Sequence, residues 1–173
     1  MKKLLIGFAS LLVVTGAMAQ GKVTFSNAFP TPAPVSVNGF TPGNDFTVEL
    51  VHQGSVLATT PIIAQGVFNA AEVAVPGADA NEQTLTLRVF KTDLGSWDAA
   101  RDASTAAGSN VAFILEDFTA MTGTASTPAP PAPTLAGAIA GSAGFQEVVI
   151  PEPGVLALGL VGAGAFFMRR RRA

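Results

Sequence analysis

Between Gly21 and Glu116 apolar and polar residues alternate with a period of two, the pattern of strands that bury one face. KVTFSN (Lys22 to Asn27) puts Val23 and Phe25 on the same side. In DFTVELVH, Phe46, Val48 and Leu50 share one face, and Thr47, Glu49 and Val51 take the other. Gln53-Gly54 follows as a two-residue hairpin turn, because glycine accepts positive φ, and SVLATT resumes beyond it. The run IIAQGVFNAAEVAV ends at Pro76-Gly77. QTLTLRVFK turns Leu85, Leu87 and Val89 inward and Thr84, Thr86 and Arg88 outward. NVAFILED and GFQEVVI (Gly144 to Ile150) read as further strands, the latter as a last strand over 145–150. Strands at this spacing, with turn clusters between them, predict a mostly β fold, an antiparallel β-sandwich of Ig-like or jelly-roll-like kind over residues 20–122. One stretch breaks the period. GSWDAARDAS offers Ser96 as N-cap, Asp98 in the first turn and alanines at 99, 100 and 103. It predicts one short helix across an end of the sandwich, with Trp97 packed beneath.

Both ends depart from this pattern. Lys2 and Lys3 precede an apolar run from Leu4 to Val14, followed by Ala17-Met18-Ala19. A cationic start, a short apolar helix and small residues at the third and first positions before a cut make a secretory signal over 1–19. Cleavage after Ala19 leaves Gln20 as the mature start. At the other end, residues 154–168 carry no charge and follow Pro151-Glu152-Pro153; Arg169, Arg170, Arg171 and Arg172 come after them. Fifteen helical residues reach about 22 Å, short of the roughly 30 Å of bilayer hydrocarbon. Arginines that snorkel to the headgroups, held on the cytoplasmic side by the positive-inside rule, extend that reach, so 154–168 is predicted to be a C-terminal transmembrane helix. The prolines keep any helix from starting before Gly154 and leave Pro-Glu-Pro extended at the outer surface. Residues 123–144 are rich in Pro, Ala and Gly. They form either a stalk-like linker or a long loop feeding the last strand, and the loop is the preferred reading.

Charge sharpens this division. The net charge of −2 hides an acidic middle: residues 20–150 hold four basic against eleven acidic side chains, a balance of −7, and the other basic residues are terminal. Charged residues make up only 13% of the chain, which with this distribution argues against a nucleic-acid partner. The absence of cysteine removes disulfides, thiolate metal sites and a cysteine nucleophile.

The ordered tail, Pro151-Glu152-Pro153, then 154–168, then Arg169–Arg172, resembles the PEP-CTERM sorting signal. The resemblance covers about Ile150 to Ala173. It implies recognition by an exosortase, a membrane-embedded cysteine protease or transpeptidase of Gram-negative bacteria, many of them makers of exopolysaccharide or biofilm. This chain would be that enzyme's substrate. Gly154-Val155 stands where the family often has Ser-Thr. The stretch from Arg88 to Asn110 also resembles, more loosely, ectodomains of PEP-CTERM proteins of verrucomicrobial type, which implies no activity. The partners so implied are signal peptidase, exosortase, the inner membrane as a transient anchor, and exopolysaccharide. The location so implied is a membrane-anchored precursor with a periplasmic domain, released to the cell surface or outside it.

Candidate chemistry in the middle is sparse, and no enzyme and no cofactor are expected. His52, the single histidine, reads as an exposed residue beside the turn and cannot make a two-histidine metal site. Asp98 and Asp102 share a helix face, but a glycosidase needs a sugar cleft between its carboxylates. With Arg101 adjacent they read as a solvated face. Asp93, Asp98, Glu116 and Asp117 lack the spacing of a calcium loop. Trp97 reads as core rather than a sugar platform. The alternative function is a carbohydrate- or Ca²⁺-binding β-sandwich module, using loops near Thr41 to Asp45 or Asp93 to Asp102.

Overall fold

The computed structural model describes residues 20–77, 81–123 and 132–150. Seven strands and two short helices follow one another: β1 (Gln20–Ser26), β2 (Phe46–His52), β3 (Ser55–Ala64), β4 (Val67–Pro76), β5 (Glu82–Lys91), α1 (Trp97–Ala103), β6 (Ala112–Met121), α2 (Ala136–Ala140) and β7 (Gln146–Glu147). The strands form one antiparallel sheet in the order β1-β4-β3-β2-β5-β6-β7. The mostly β, antiparallel expectation therefore holds, as a single hydrogen-bonded sheet.

Two hairpins of the same chemistry shape it. Gln53 (φ 49°) and Gly54 (φ 80°) join β2 to β3 as expected. Gln65 (φ 43°) and Gly66 (φ 75°) do the same between β3 and β4. Both central residues of each turn have positive φ, the geometry whose twist matches paired strands. The run IIAQGVFNAAEVAV is thus two strands and a turn. Within β3, residues 55–61 pair with β2, and only Ile62 and Ala64 reach β4. β4 then leaves β3 and pairs with β1 from Asn69 to Pro76. The sheet changes partner at this hairpin, and β1 and β4 add Val23, Phe25, Phe68 and Val75 to the same buried cluster as β2, β5 and β6.

That cluster is what the period-two pattern predicts. Phe46, Val48 and Leu50 are buried, as are Leu85, Leu87 and Val89, and Phe113 and Leu115 face them from β6. Phe40, Phe46 and Phe113 make an aromatic group with ring centroids 5.6–5.9 Å apart, within the range of favourable offset and edge contacts. His52 departs from expectation: it is buried, 6% exposed. The β2 period carries it to the inward side with Phe46, Val48 and Leu50, and the turn begins only after it.

The helix also sits differently. α1 is capped as expected, the Ser96 Oγ accepting the Ala99 N–H at 3.2 Å, and Trp97 is buried. Trp97 and Ala100 pack on Phe90 and Ala112, cross-strand partners one residue out of phase with inward Val89 and Phe113. α1 therefore covers the outer face of β5 and β6 rather than an end of the fold.

Residues 132–144 are not a free stalk. Thr24 donates its backbone N–H to Pro133 O at 2.8 Å and its hydroxyl to Ala132 O at 2.9 Å, so this segment runs along the outer edge of β1. Leu135 and Ile139, one helical turn apart, then anchor α2 in the main core. The last strand is shorter than the expected 145–150: only Gln146 and Glu147 pair with β6.

Candidate functional site

The residues that carry the sorting expectation fall outside the described ones: Ala17 and Ala19, Pro151, Glu152 and Pro153, residues 154–168, and Arg169, Arg170, Arg171 and Arg172. Gln20, the expected mature start, opens β1 opposite Pro76. Among the described residues no helix is long and apolar enough to cross a membrane.

The expected acidic candidates do not converge. Arg101 binds Asp98 and Asp102 at 3.1 Å each, on an exposed helix face. Among the described residues no three His, Cys, Asp or Glu side chains gather as a metal site. Trp97 is 7% exposed and the Arg88 guanidinium lies 5.4 Å from its ring centroid, so its face is already occupied. Beside it, Glu49 lies opposite Arg88 across the β2–β5 ladder. Glu49 Oε2 and Arg88 Nε are buried without hydrogen-bond partners. Burial pushes the Glu49 carboxyl above its ordinary range; the Arg88 charge opposes this and the Asp98 charge adds to it.

A cavity of about 380 Å³ lies between β6 and α2, with Glu116, Asp117 and Thr119 on one wall and Ala138 and Ser142 on the other. Its cause is a gap in pairing. β6 pairs with β7 only at Phe113 and Ile114, and the chain beyond β6 meets β1 only at Gly123. Between those points α2 stands where another strand would lie. The Ser142 hydroxyl donates to Ile139 O at 2.6 Å and accepts the Gly144 N–H at 3.3 Å, so it caps a turn rather than waits as a nucleophile.

Among the described residues the densest polar construction joins the end of α1 to the segment around β7. α1 ends on Ser104, which is fully buried. The Ser104 hydroxyl donates to Val148 O and sits 3.0 Å from the Ser109 hydroxyl, while Ser104 O accepts the Ile150 N–H at 2.7 Å. Val148 N–H donates to Ala112 O at 3.0 Å, extending the β6–β7 ladder by one bond. Glu147 reaches into the loop after α1. Its Oε2 accepts the Gly108 N–H at 2.8 Å, and its Oε1 accepts the Asn110 N–H at 2.9 Å and the Ser109 hydroxyl at 3.2 Å. Positive φ at Gly108 (83°) and Asn110 (52°) turns this loop so that its amides converge on one carboxylate. Burial acts to raise the Glu147 carboxyl, but the bonds from Gly108, Asn110 and Ser109 outweigh it and hold the group below its ordinary range.

Neither Ser104 nor Glu147 stands out in the sequence. The available signal was a Gly-Ser-Asn turn thirty-odd residues upstream of a lone acid in a strand-like run, and only the fold brings the two together. Compared with known proteins, the chain matches no family model, no curated protein and no solved structure.

Proposed function

We propose that this chain is an exported bacterial surface or matrix protein. A β domain is delivered by an N-terminal signal and processed at its C-terminal tail by an exosortase. The observation that carries the reading is the order of features in the chain: a leader over 1–19, an acidic domain, then Pro-Glu-Pro, fifteen uncharged residues and four arginines. Each part of the tail has a physical task. The arginines resist transfer across the membrane, the apolar stretch holds the precursor there, and the prolines keep the peptide before it extended for an enzyme cleft.

The domain's role in this reading is structural or interactive, in the envelope, exopolysaccharide or biofilm, and not catalytic. The pairing of Asp98 and Asp102 with Arg101 and the covered Trp97 ring support that choice over a sugar-cleaving or sugar-stacking one. The domain is read as sandwich-like, and the contribution of β1 and β4 to the same core as β2, β5 and β6 supports that reading.

The test is the terminal peptides of the protein recovered from cell envelope and from medium, by mass spectrometry. A start at Gln20 and an end near Pro151 to Pro153, with Arg169 to Arg172 gone, is the expected result. An intact Ala173 in every fraction would overturn tail processing and leave a permanent anchor.

A further inference from the structure

The five residues before the sorting motif are held far more firmly than a two-residue strand requires. Two backbone N–H groups, one backbone carbonyl and one carboxylate tie Glu147, Val148 and Ile150 to two different segments, Ser104–Asn110 and Ala112. A strand this short is worth little by itself, because pairing two residues does not repay the order it imposes. The carboxylate supplies the difference: hydrogen bonds to a charged acceptor are about twice as strong as neutral ones. Glu147 therefore acts as the latch, and Ser104 as the seat on which Val148 and Ile150 rest.

A processing enzyme binds its substrate as an extended strand whose backbone donors and acceptors are free to pair with the cleft. Val148 N–H, Val148 O and Ile150 N–H are already engaged. Cleavage inside such a segment proceeds only from the small fraction of molecules in which it has opened. We infer that the Glu147 latch sets the inner limit of C-terminal processing, withholding Gln146 to Ile150 from the enzyme and confining the cut to Pro151 and beyond. This rests on the sorting reading of the tail. In it Glu147 is a positioning residue: it touches no reacting atom and acts through the segment it holds.

The test uses the full chain, wild type and with Glu147→Ala, Glu147→Gln or Val75→Ala. Val75 is buried in β4 and serves as a control for general destabilisation. Two readouts are taken: amide exchange at Val148 and Ile150 in purified protein, and the C-terminal peptides of protein processed in cells. Wild type is expected to show protected amides and ends no earlier than Ile150. Glu147→Ala should speed exchange at both amides by about tenfold or more relative to Val89, and scatter ends into 146–149. Glu147→Gln, which keeps the acceptor oxygen and loses the charge, should fall between. Val75→Ala should lower the melting temperature without moving the ends. In wild type, exchange at the two amides should rise relative to Val89 on acidification below the ordinary carboxyl range, and in Glu147→Gln that rise should vanish. Unmoved ends in Glu147→Ala despite loosened amides would overturn the processing limit alone, and unloosened amides would overturn the latch. An intact Ala173 in wild type would sink the sorting reading, and the limit with it.

Discussion

Asn27 shows how much one buried polar side chain can organise. It is fully buried, and its amide donates to Ala33 O and Gly66 O at 2.9 Å each while its Oδ1 accepts the Phe68 N–H at 2.8 Å. One residue thereby pins the loop after β1 to the β3–β4 turn. Asn27→Ala takes the side-chain partner from the buried Phe68 N–H and removes one bond each at Gly66 O, which keeps the Val35 N–H, and at half-buried Ala33 O, and is expected to cost about 2–3 kcal/mol in urea unfolding. A loss below 1 kcal/mol would mean that water replaces the amide. Two carboxyls among the described residues carry opposite pH dependence at this scale. Glu147 is held below its ordinary 4.5, so its contribution is present above that value and fades as pH falls through the folded-state pKa. Glu49 is raised above 4.5, so the folded state holds its proton more tightly and stability falls as pH rises through that window. Denaturant melts from pH 3 to 7 should lose the acid-side slope in Glu147→Gln and the opposing slope in Glu49→Gln. Neither residue is marked in the sequence: Asn27 is one of several asparagines near turns, and Glu147 is one acid in a strand-like run.

Among the elements, the two hairpins share a sequence signal and differ in surroundings. At Gly54 an added Cβ would meet nothing within 4 Å, so Gly54→Ala carries only the strain of φ +80°, about 1–2 kcal/mol. At Gly66 it would lie 2.3 Å from Val35 O and 2.8 Å from Val35 N. The backbone there must move, and Val35 N–H loses its 2.9 Å bond to Gly66 O. Gly66→Ala should therefore lower the melting temperature by clearly more than Gly54→Ala, with equal losses counting against the close approach. The strands and α1 were legible because their signals are local: period two, a Gln-Gly pair, a serine cap before alanines. α2 and β7 were not. In an Ala/Gly/Pro-rich stretch the helix depends on where Leu135 and Ile139 can be buried, and β7 stops at Glu147 because Ser104 captures the chain beyond it.

For the whole molecule the decisive contact is a pair of backbone bonds. Lys22 N–H donates to Gly123 O at 3.0 Å and Gly123 N–H to Lys22 O at 2.7 Å, so the chain leaving β6 meets β1 from the far side of the strand order. With Thr24 bonded to Ala132 and Pro133, the outer edge of β1 is covered, which removes a template for unwanted strand pairing. The Gly123 amide should accordingly exchange slowly, within about tenfold of core amides such as Val89, although it borders the Pro/Ala/Gly-rich stretch. Exchange as fast as a loop amide would show that the closure opens independently.

The sequence by itself determined the inward residues of β2 and β5, the first hairpin and the capped helix, because each depends on neighbours within a few positions. It also supplies every feature on which the export and sorting proposal stands. The tertiary structure decided that His52 is buried, that α1 covers a sheet face, that β6 is open beside α2, and that Glu147 is caged by the 108–110 loop. Each of these joins residues far apart in the chain. Period and propensity carry no information about which distant backbone groups will be left needing a partner.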